Sequence, residues 1–313
     1  IGPTLTGILL GVGSWRWVFW SFVPFLVIAL IFAITSLENI SELTKPHVDI
    51  ISILASAIGF SGLIAGVSFA SESGWLSAKV LGSLIIGVLA LLFYGYRQLH
   101  LAEPILNLRV FKHANFRTGA AIVMIDFGII LSAMYLLPQY IQNGMALPVA
   151  LTGIIMLPGG LVNAIVSAIA GRMYDNVGAK LPARLGLVIA LIGAILLAFV
   201  STKTAIWYVI MAHIILMIGA PLAMSPSQTS ALNSLSGRES ADGSTILNTM
   251  QQIIGALATA LATSFLEVGR HAVSGSNAFT FTNGVHYGFY FTIALVVIGL
   301  LISLKIQDDA DNH

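Results

Sequence analysis

The chain has 313 residues, of which 57% are hydrophobic and 9% charged, and its formal net charge is +1 at pH 7. Soluble domains carry about 25% charged residues, so this composition indicates an all-α integral membrane protein. The small net charge excludes a basic surface for nucleic acid. The sequence has no cysteine, which excludes disulfides, thiolate catalysis and cysteine metal sites.

Apolar segments of spanning length recur along the chain, because about 20 apolar residues cross a hydrocarbon core of roughly 30 Å. Residues 1–10 are too short to span and are interpreted as the end of a truncated helix whose upstream part is missing. Residues 307–313 are expected to form a solvated acidic tail. The complete predicted spans are residues 17–36, 48–70, 78–96, 119–142, 149–170, 182–200, 205–227, 244–267 and 285–305.

The distribution of basic residues between alternate loops predicts the orientation of these spans, since cytoplasmic loops carry the excess of Lys and Arg. Ten of the 14 basic residues fall on the side that contains the 97–117 connection and residue 305, and four fall on the other side. The first side is therefore predicted to be cytoplasmic, and it includes the C-terminus.

The most polar short break lies at Gly171–Lys180, which reads Gly-Arg-Met-Tyr-Asp-Asn-Val-Gly-Ala-Lys. It separates two long apolar segments, and its glycines and aspartate suit a sharp turn. We expect a tight loop between two spans on the cytoplasmic side of the membrane.

Two ionisable side chains, Asp126 and His213, lie inside predicted spans. An unpaired carboxylate at the centre of a span costs about 2.5 to 3.5 kcal/mol on insertion scales, so Asp126 is expected to face protein or a wet cavity. Asp126 is interpreted either as a site for a proton or a cationic substrate, or as a protonated or hydrogen-bonded structural aspartate. His213 fits an interhelical hydrogen bond better than a titrating group.

Amide side chains form a further set of polar residues at membrane depth. Asn248 and Gln252 are four positions apart and share a helix face, with Gln251 beside them. Such amides could bind the polar groups of a substrate in an apolar cavity, and bonding between helices would explain them equally well. The candidate cavity residues are Gln139, Gln142, Asn163, His213, Asn248, Gln251 and Gln252.

Enzyme and metal signatures are not found in the sequence. No Gly-x-x-x-x-Gly-Lys phosphate loop exists, and the seven histidines show no metal-binding pair on one helix. The sequence therefore predicts neither an enzyme nor a cofactor. Gly62 and Gly66 form a small-xxx-small pair, which is expected to let a neighbouring helix approach closely.

Several motifs together resemble the major facilitator superfamily, and in particular its fourteen-helix drug:proton antiporters of the EmrB and lincomycin-resistance type. Gly171, Asp175, Gly178 and Lys180 match the superfamily's cytoplasmic loop motif, with Arg172 among them. Gly2, Pro3 and Gly7 are similar to the end of the antiporter motif on helix five. Further matches are Ser14 to Phe19 (SWRWVF), Glu103 to Phe111 (EPILNLRVF), Leu137 to Gln142 (LPQYIQ), Leu157 to Gly160 (LPGG) and Asn248 to Gly255 (NTMQQIIG).

The resemblance implies a major facilitator fold, in which the first complete span is helix six and the last is helix fourteen. Residues 1–36 would be the end of an N-terminal bundle, and residues 37–117 a linker that carries an inserted helix pair. Residues 118–306 would form the C-terminal six-helix bundle, followed by the tail 307–313. Ala179 departs from the loop motif, where a basic residue is usual, and Thr6 replaces a glycine of the antiporter motif.

The function implied by the resemblance is proton-coupled antiport of amphipathic, cationic or lipophilic drugs by alternating access. It would take place in a bacterial plasma membrane, with the proton gradient as energy source and no cofactor. Partners would be the lipid bilayer, protons and small amphipathic substrates, and a periplasmic adaptor only in a Gram-negative source. Arg172, Asp175 and Lys180 are interpreted as a conformational latch, and the alternative is a surface turn without such a role. The alternatives are an exporter of one metabolite or lipid with the same fold, and a truncated membrane protein without transport activity.

Overall fold

The structure is a computed structural model of the chain that describes residues 6–7, 9–10, 13–36, 49–102 and 104–306. Within this part, nine helices are long and apolar enough to cross a membrane, as predicted. Gly2, Pro3, Glu103 and the predicted tail lie outside the described residues. The helices are α1 (Arg16–Ser36), α2 (Ile50–Ser73), α3 (Ala78–His100), α4 (Ala114–Gln139), α5 (Val149–Val177), α6 (Lys180–Ala198), α7 (Ile206–Asn233), α8 (Arg238–His271) and α9 (Asn277–Ser303).

Most helices are longer than the apolar segments that predicted them. Helix α9 begins at Asn277, where the Ser276 hydroxyl caps it by accepting a hydrogen bond from the Phe279 amide. The predicted start at residue 285 was therefore wrong. Backbone hydrogen bonding continues through polar residues until a cap or a turn ends the helix. Hydropathy alone therefore predicts helices that are too short.

The predicted loop at Gly171–Lys180 is mostly helical, which corrects the prediction. Helix α5 continues to Val177, and only Gly178 and Ala179 separate it from α6. Gly178 has a φ of 71°, a left-handed conformation that glycine adopts without steric cost. The sharp turn is thus confirmed at Gly178, while Gly171 and Asp175 lie on the last turns of α5.

Helices α2 and α3 form a tightly packed pair. An ideal Cβ on Gly62 would lie 2.8 Å from Cα of Gly87, and one on Gly66 would lie 2.7 Å from the Leu84 side chain. The close approach predicted for the small-xxx-small pair is therefore confirmed. Because the two backbones nearly touch, larger side chains at these positions would separate the helices.

A polar network joins the first turn of α2 to the last turn of α3. Arg97 donates to both carboxylate oxygens of Asp49, from Nε at 2.7 Å and from NH2 at 2.9 Å. These hydrogen bonds from Arg97, assisted by one from Ser52, hold the pKa of the Asp49 carboxyl well below its usual range. Gln98 donates to the Ser52 hydroxyl at 2.7 Å and accepts from the Leu106 amide at 3.1 Å. The network therefore also ties the pair to the following connection.

The connection between α3 and α4 packs its apolar side chains into the end of the helix bundle. A 3₁₀ helix at Leu108–Lys112 places Val110, which is fully buried, against Phe116 of α4. The same cluster includes Leu235, just beyond α7, and Ile246 of α8. The 97–117 connection therefore makes an apolar contact between the helix pair and the bundle.

Helices α4 to α9 pack together, with α4 in contact with α7, α8 and α9. Helices α6 and α7 make the closest approach, because Gly186, Gly193 and Gly219 bring their backbones together. Helix α2 also contacts α8. Helix α1 has no buried residue. The division of the chain into bundles around an inserted pair stays a prediction.

Candidate functional site

Asp126 is the only fully buried acidic side chain among the described residues. It is 0% exposed, and neither carboxylate oxygen has a hydrogen-bond partner in the described part of the chain. Asp126 lies about two turns after Gly119 on the same face of α4, and an ideal Cβ on Gly119 would lie 2.6 Å from the Ser227 carbonyl of α7. The carboxyl group is therefore on the α7-facing side of α4, inside the bundle, as burial in protein required.

His213 lies at the contact between α5 and α7. It is 4% exposed, and its Nδ1 has no hydrogen-bond partner within the described part of the chain. The ring occupies the space beside Gly159, where an ideal Cβ would collide with Nδ1 and Cε1. The first glycine of the Leu157–Gly160 motif therefore makes room for the imidazole, and at Nδ1 the predicted interhelical hydrogen bond is not formed.

Asn163 makes the next contact along the same pair of helices. Its Nδ2 donates to Sδ of Met217 at 3.7 Å. Asn163 and Met217 each lie one turn beyond Gly159 and His213, so α5 and α7 run parallel. The amide is half-buried and is used between helices.

We expect Gly159→Ala to destabilise the α5–α7 contact by about 1 to 3 kcal/mol, because the added methyl group overpacks the space that holds the His213 ring. The measurement is the unfolding free energy in mixed micelles with increasing SDS. In the double variant Gly159→Ala, His213→Ala, most of this loss should disappear relative to His213→Ala alone. Equal losses in both backgrounds would show that the two residues are not coupled.

The three amides of α8 point in two directions. Asn248 and Gln252 are exposed and share a face, as predicted, whereas Gln251 is 7% exposed and its Nε2 has no hydrogen-bond partner among the described residues. One residue along a helix turns the side chain by about 100°, which places Gln251 away from its neighbour Gln252. Only Gln251 therefore faces the interior of the described structure.

Gln139 and Gln142 lie at the C-terminal end of α4. The turn at Tyr140–Gly144 is π-helical and follows Pro138, a proline inside α4 as the sequence indicated. Gln139 accepts a hydrogen bond from Asn143 at 3.0 Å, and both glutamines are half-buried. This end of α4 is far from Asp126 along the helix axis.

The residues of the loop motif lie around the α5–α6 turn. Arg172 and Asp175 are exposed, and Lys180 begins α6. Nearby, Arg184 of α6 donates to the carbonyls of Ser303 and Leu304 at the end of α9, at 3.4 and 3.3 Å. Arg184 was not singled out from the sequence, because a lone arginine near a span end is typical of membrane interfaces.

The antiporter-motif residue Gly7 packs against α5. An ideal Cβ on Gly7 would lie 3.3 Å from Cα of Gly153 and 3.3 Å from the Val149 carbonyl. Gly153 could not be identified from the sequence, because its role depends on the segment around Gly7 that packs against it. Of this motif, Gly7 is thus placed at a close helix contact.

The candidate cavity residues are not gathered around one cavity in the part of the chain that the structure describes. Asp126 faces α7, His213 and Asn163 lie between α5 and α7, and Gln252 lines a separate groove of ≈ 520 Å³. No cluster of three metal-ligating side chains occurs among the described residues. Their role in binding stays a prediction.

Comparison with known proteins gives the family. Residues 1–259 match the Major Facilitator Superfamily. The chain is 39% identical to the lincomycin resistance protein LmrB of Listeria monocytogenes, over 98% of the chain and 67% of that protein. It is 40% identical to LmrB of Bacillus subtilis, over 96% of the chain and 65% of that protein. It is 22% identical to the multidrug resistance protein Stp of Mycobacterium tuberculosis, over 85% of the chain and 49% of that protein.

The chain spans about two thirds of the length of the LmrB proteins. The relatives match nearly the whole chain and the family model matches residues 1–259, so the resemblance inferred from the sequence is confirmed. The nine helices of spanning length are the architecture expected of such a protein. The chain belongs to the major facilitator superfamily, a family of multi-pass membrane transporters.

Proposed function

We propose that the full-length protein is a secondary active transporter that exports amphipathic drugs in exchange for protons, by alternating access. The observation that carries this proposal is the 39% identity to a lincomycin resistance protein over 98% of the chain. The absence of enzyme motifs in the sequence agrees with transport rather than catalysis. The proton gradient supplies the energy, and no cofactor takes part.

The proposed location is a bacterial plasma membrane, with the α5–α6 turn and the C-terminus in the cytoplasm. The excess of Lys and Arg on that side supports this orientation. The contact of Arg184 with the last residues of α9 agrees with it, because both helix ends lie on the same side of the bundle. The bilayer, protons and amphipathic drugs are the proposed partners, with an adaptor protein only in a Gram-negative source.

Asp126 is the proposed proton site. A buried carboxyl group that has no hydrogen-bond partner exchanges charge with its surroundings only by taking up or releasing a proton, or by binding a cation. Its position inside the bundle, facing α7, would link that exchange to the packing of α4 against α7. Gln139, Gln142, Asn163, His213, Asn248, Gln251 and Gln252 remain proposed cavity residues.

Arg172, Asp175 and Lys180 are proposed to act as a conformational latch at the α5–α6 turn. The short turn supports this role, because only Gly178, in a left-handed conformation, and Ala179 separate the end of α5 from Lys180 at the start of α6. The latch would open and close during alternating access. Gly7 and Gly153 are proposed to form a second close contact that both conformations preserve.

The experiment that tests the proposal is drug export by the full-length protein in proteoliposomes with an imposed proton gradient. We expect gradient-dependent transport of several chemically unrelated drugs that compete with each other, and loss of transport when an uncoupler collapses the gradient. One saturable solute without competition by other drugs would instead indicate an exporter of a single metabolite or lipid. No gradient-dependent transport of any solute would contradict the proposal.

A further inference from the structure

An open groove of ≈ 520 Å³ runs between α2, α4 and α8. Ile64 of α2 and Leu131 of α4 form two of its walls, and α8 forms the third. The Leu131 side chain reaches the groove because α8 has Gly255 beside it, where an ideal Cβ would lie 2.7 Å from Leu131. Residues of three helices therefore form the groove, and α2, which contacts α8, supplies one of its walls.

The wall formed by α8 carries regularly spaced polar groups. Gln252, Thr259 and Thr263 line the groove, and they lie on one face because they are separated by seven and four residues. With a rise of about 1.5 Å per residue, they extend over roughly 16 Å of the helix. Across the groove from this line of polar groups lie the aliphatic side chains of Ile64 and Leu131, together with Ser68 of α2.

The two threonines can act toward a ligand only as hydrogen-bond acceptors. Thr259 already donates its hydroxyl proton to the Gly255 carbonyl at 2.8 Å, and Thr263 donates to the Thr259 carbonyl at 2.9 Å. Their remaining lone pairs accept hydrogen bonds, while the Gln252 amide both donates and accepts. The groove therefore matches a molecule that presents hydroxyl or N–H donors along one edge.

Among the described residues, no acidic or basic side chain lines the groove. A charged ligand would lose hydration here without gaining an ion pair, which is unfavourable. The volume lies within the usual range of about 300 to 1,000 Å³ for small-molecule sites.

We propose that this groove binds uncharged amphipathic small molecules. Their aliphatic part packs on Ile64, Leu131 and Ala260, and their hydroxyl or N–H groups donate to Thr259 and Thr263. The inference rests on the proposed function, because it assigns one class of exported compound to one site. It also gives helix α2 a role in recognition, since α2 closes the groove against α8.

The test uses the full-length protein in nanodiscs and two photoreactive probes with the same diazirine-bearing dodecyl chain. One has a neutral glucoside head group and the other a trimethylammonium head group. We expect the glucoside to label the peptides that contain Ile64 and Thr259, and the cationic probe to label them at least several-fold less. Equal labelling by the two probes, or no labelling of these peptides by the glucoside, would overturn the proposal.

Conservative variants then test the hydrogen bonds. Thr259→Val combined with Thr263→Val should weaken glucoside binding about tenfold, because two acceptors are lost without a change of shape. Thr245→Val is the matched control: its hydroxyl also donates to a carbonyl four residues earlier on α8, but it is exposed outside the groove. Ala260→Phe, which fills the groove, should abolish labelling even if the valine variants fold poorly.

A lipid is the competing occupant. If a diazirine phosphatidylcholine labels the same peptides and the glucoside does not displace it, the groove is a lipid site and the proposal is wrong. Gradient-driven export separates this failure from that of the proposed function. Unchanged glucoside binding in the valine variants, with export intact, refutes only the groove, whereas loss of all gradient-driven export in the unmodified protein refutes the transporter.

Discussion

Asp126→Asn in the full-length protein is expected to reduce proton-driven drug export to background, while the amount of folded protein in the membrane stays the same. Asparagine has nearly the same shape and remains polar, but it cannot take up or release a proton. The carboxyl group of Asp126 is fully buried and makes no hydrogen bond in the described structure. The substitution therefore breaks no contact, and its main effect is the loss of the titrating group.

Stability measurements distinguish a proton site from a structural aspartate. A buried polar group without a partner costs about 1 to 3 kcal/mol, so Asp126→Leu should raise the unfolding free energy while it removes export. A structural aspartate would give the opposite result, with lower stability in both variants. Measuring export and unfolding in the same preparations separates the two interpretations.

Ser132→Ala is the matched control for these variants. Ser132 is on the same helix and is 0% exposed, and its hydroxyl also has no hydrogen-bond partner within the ranges that the structure describes, but it does not titrate. We expect export within about twofold of the unmodified protein, since only an unpaired hydroxyl is removed. Wild-type export by Asp126→Asn would contradict the proton role, and equal losses in Ser132→Ala would attribute the effect to packing.

The membrane spans could be predicted from the sequence because hydropathy reports directly which segments can lie in a bilayer. The helix ends could not, because they depend on caps and turns. Gly171 to Val177 is polar enough to leave the hydrocarbon, yet its backbone continues the α5 hydrogen bonding up to the left-handed Gly178. Polarity therefore did not mark the end of the helix.

The candidate site was predicted only residue by residue. Burial of Asp126 and the shared face of Asn248 and Gln252 follow from a single helix, so they were accessible from sequence. The place of His213 beside Gly159 depends on the register between two helices, which no local pattern specifies. The groove between α2 and α8 likewise depends on how separate segments pack, although the close approach of some helix at Gly62 could be anticipated from its spacing.

The glycines of α6 and α7 also show that a sequence does not specify which helices pack together. Substitution at one of them gives the largest expected effect on stability. The small residues Gly186, Ala190 and Gly193 follow one another at intervals of four and three on α6, a spacing that favours close packing. The sequence does not say which helix fills that face. In the structure it is α7, whose Gly219 lies against Ala190 and the Gly186 carbonyl.

Gly219→Val is expected to lower the unfolding free energy by about 3 kcal/mol or more, at the upper end of the range for overpacking. An ideal Cβ on Gly219 would overlap the Ala190 amide nitrogen and lie 2.5 Å from the Gly186 carbonyl oxygen. Both neighbours are backbone atoms, so neither can change rotamer and the two helices must separate. The loss is measured by SDS titration in mixed micelles, together with the fraction of protein recovered from the membrane.

Gly82→Ala provides the control for this change. Gly82 is on α3, and an added Cβ there would have no atom within 4 Å, so only the helix propensity changes. Alanine is favoured over glycine by up to about 1 kcal/mol in a helix, and we expect unchanged or slightly higher stability. A fall for Gly219→Val no larger than the scatter around Gly82→Ala would show that α6 and α7 do not approach as closely as described. A large fall confined to Gly219→Val would establish the backbone contact between α6 and α7 as a main source of stability in the bundle.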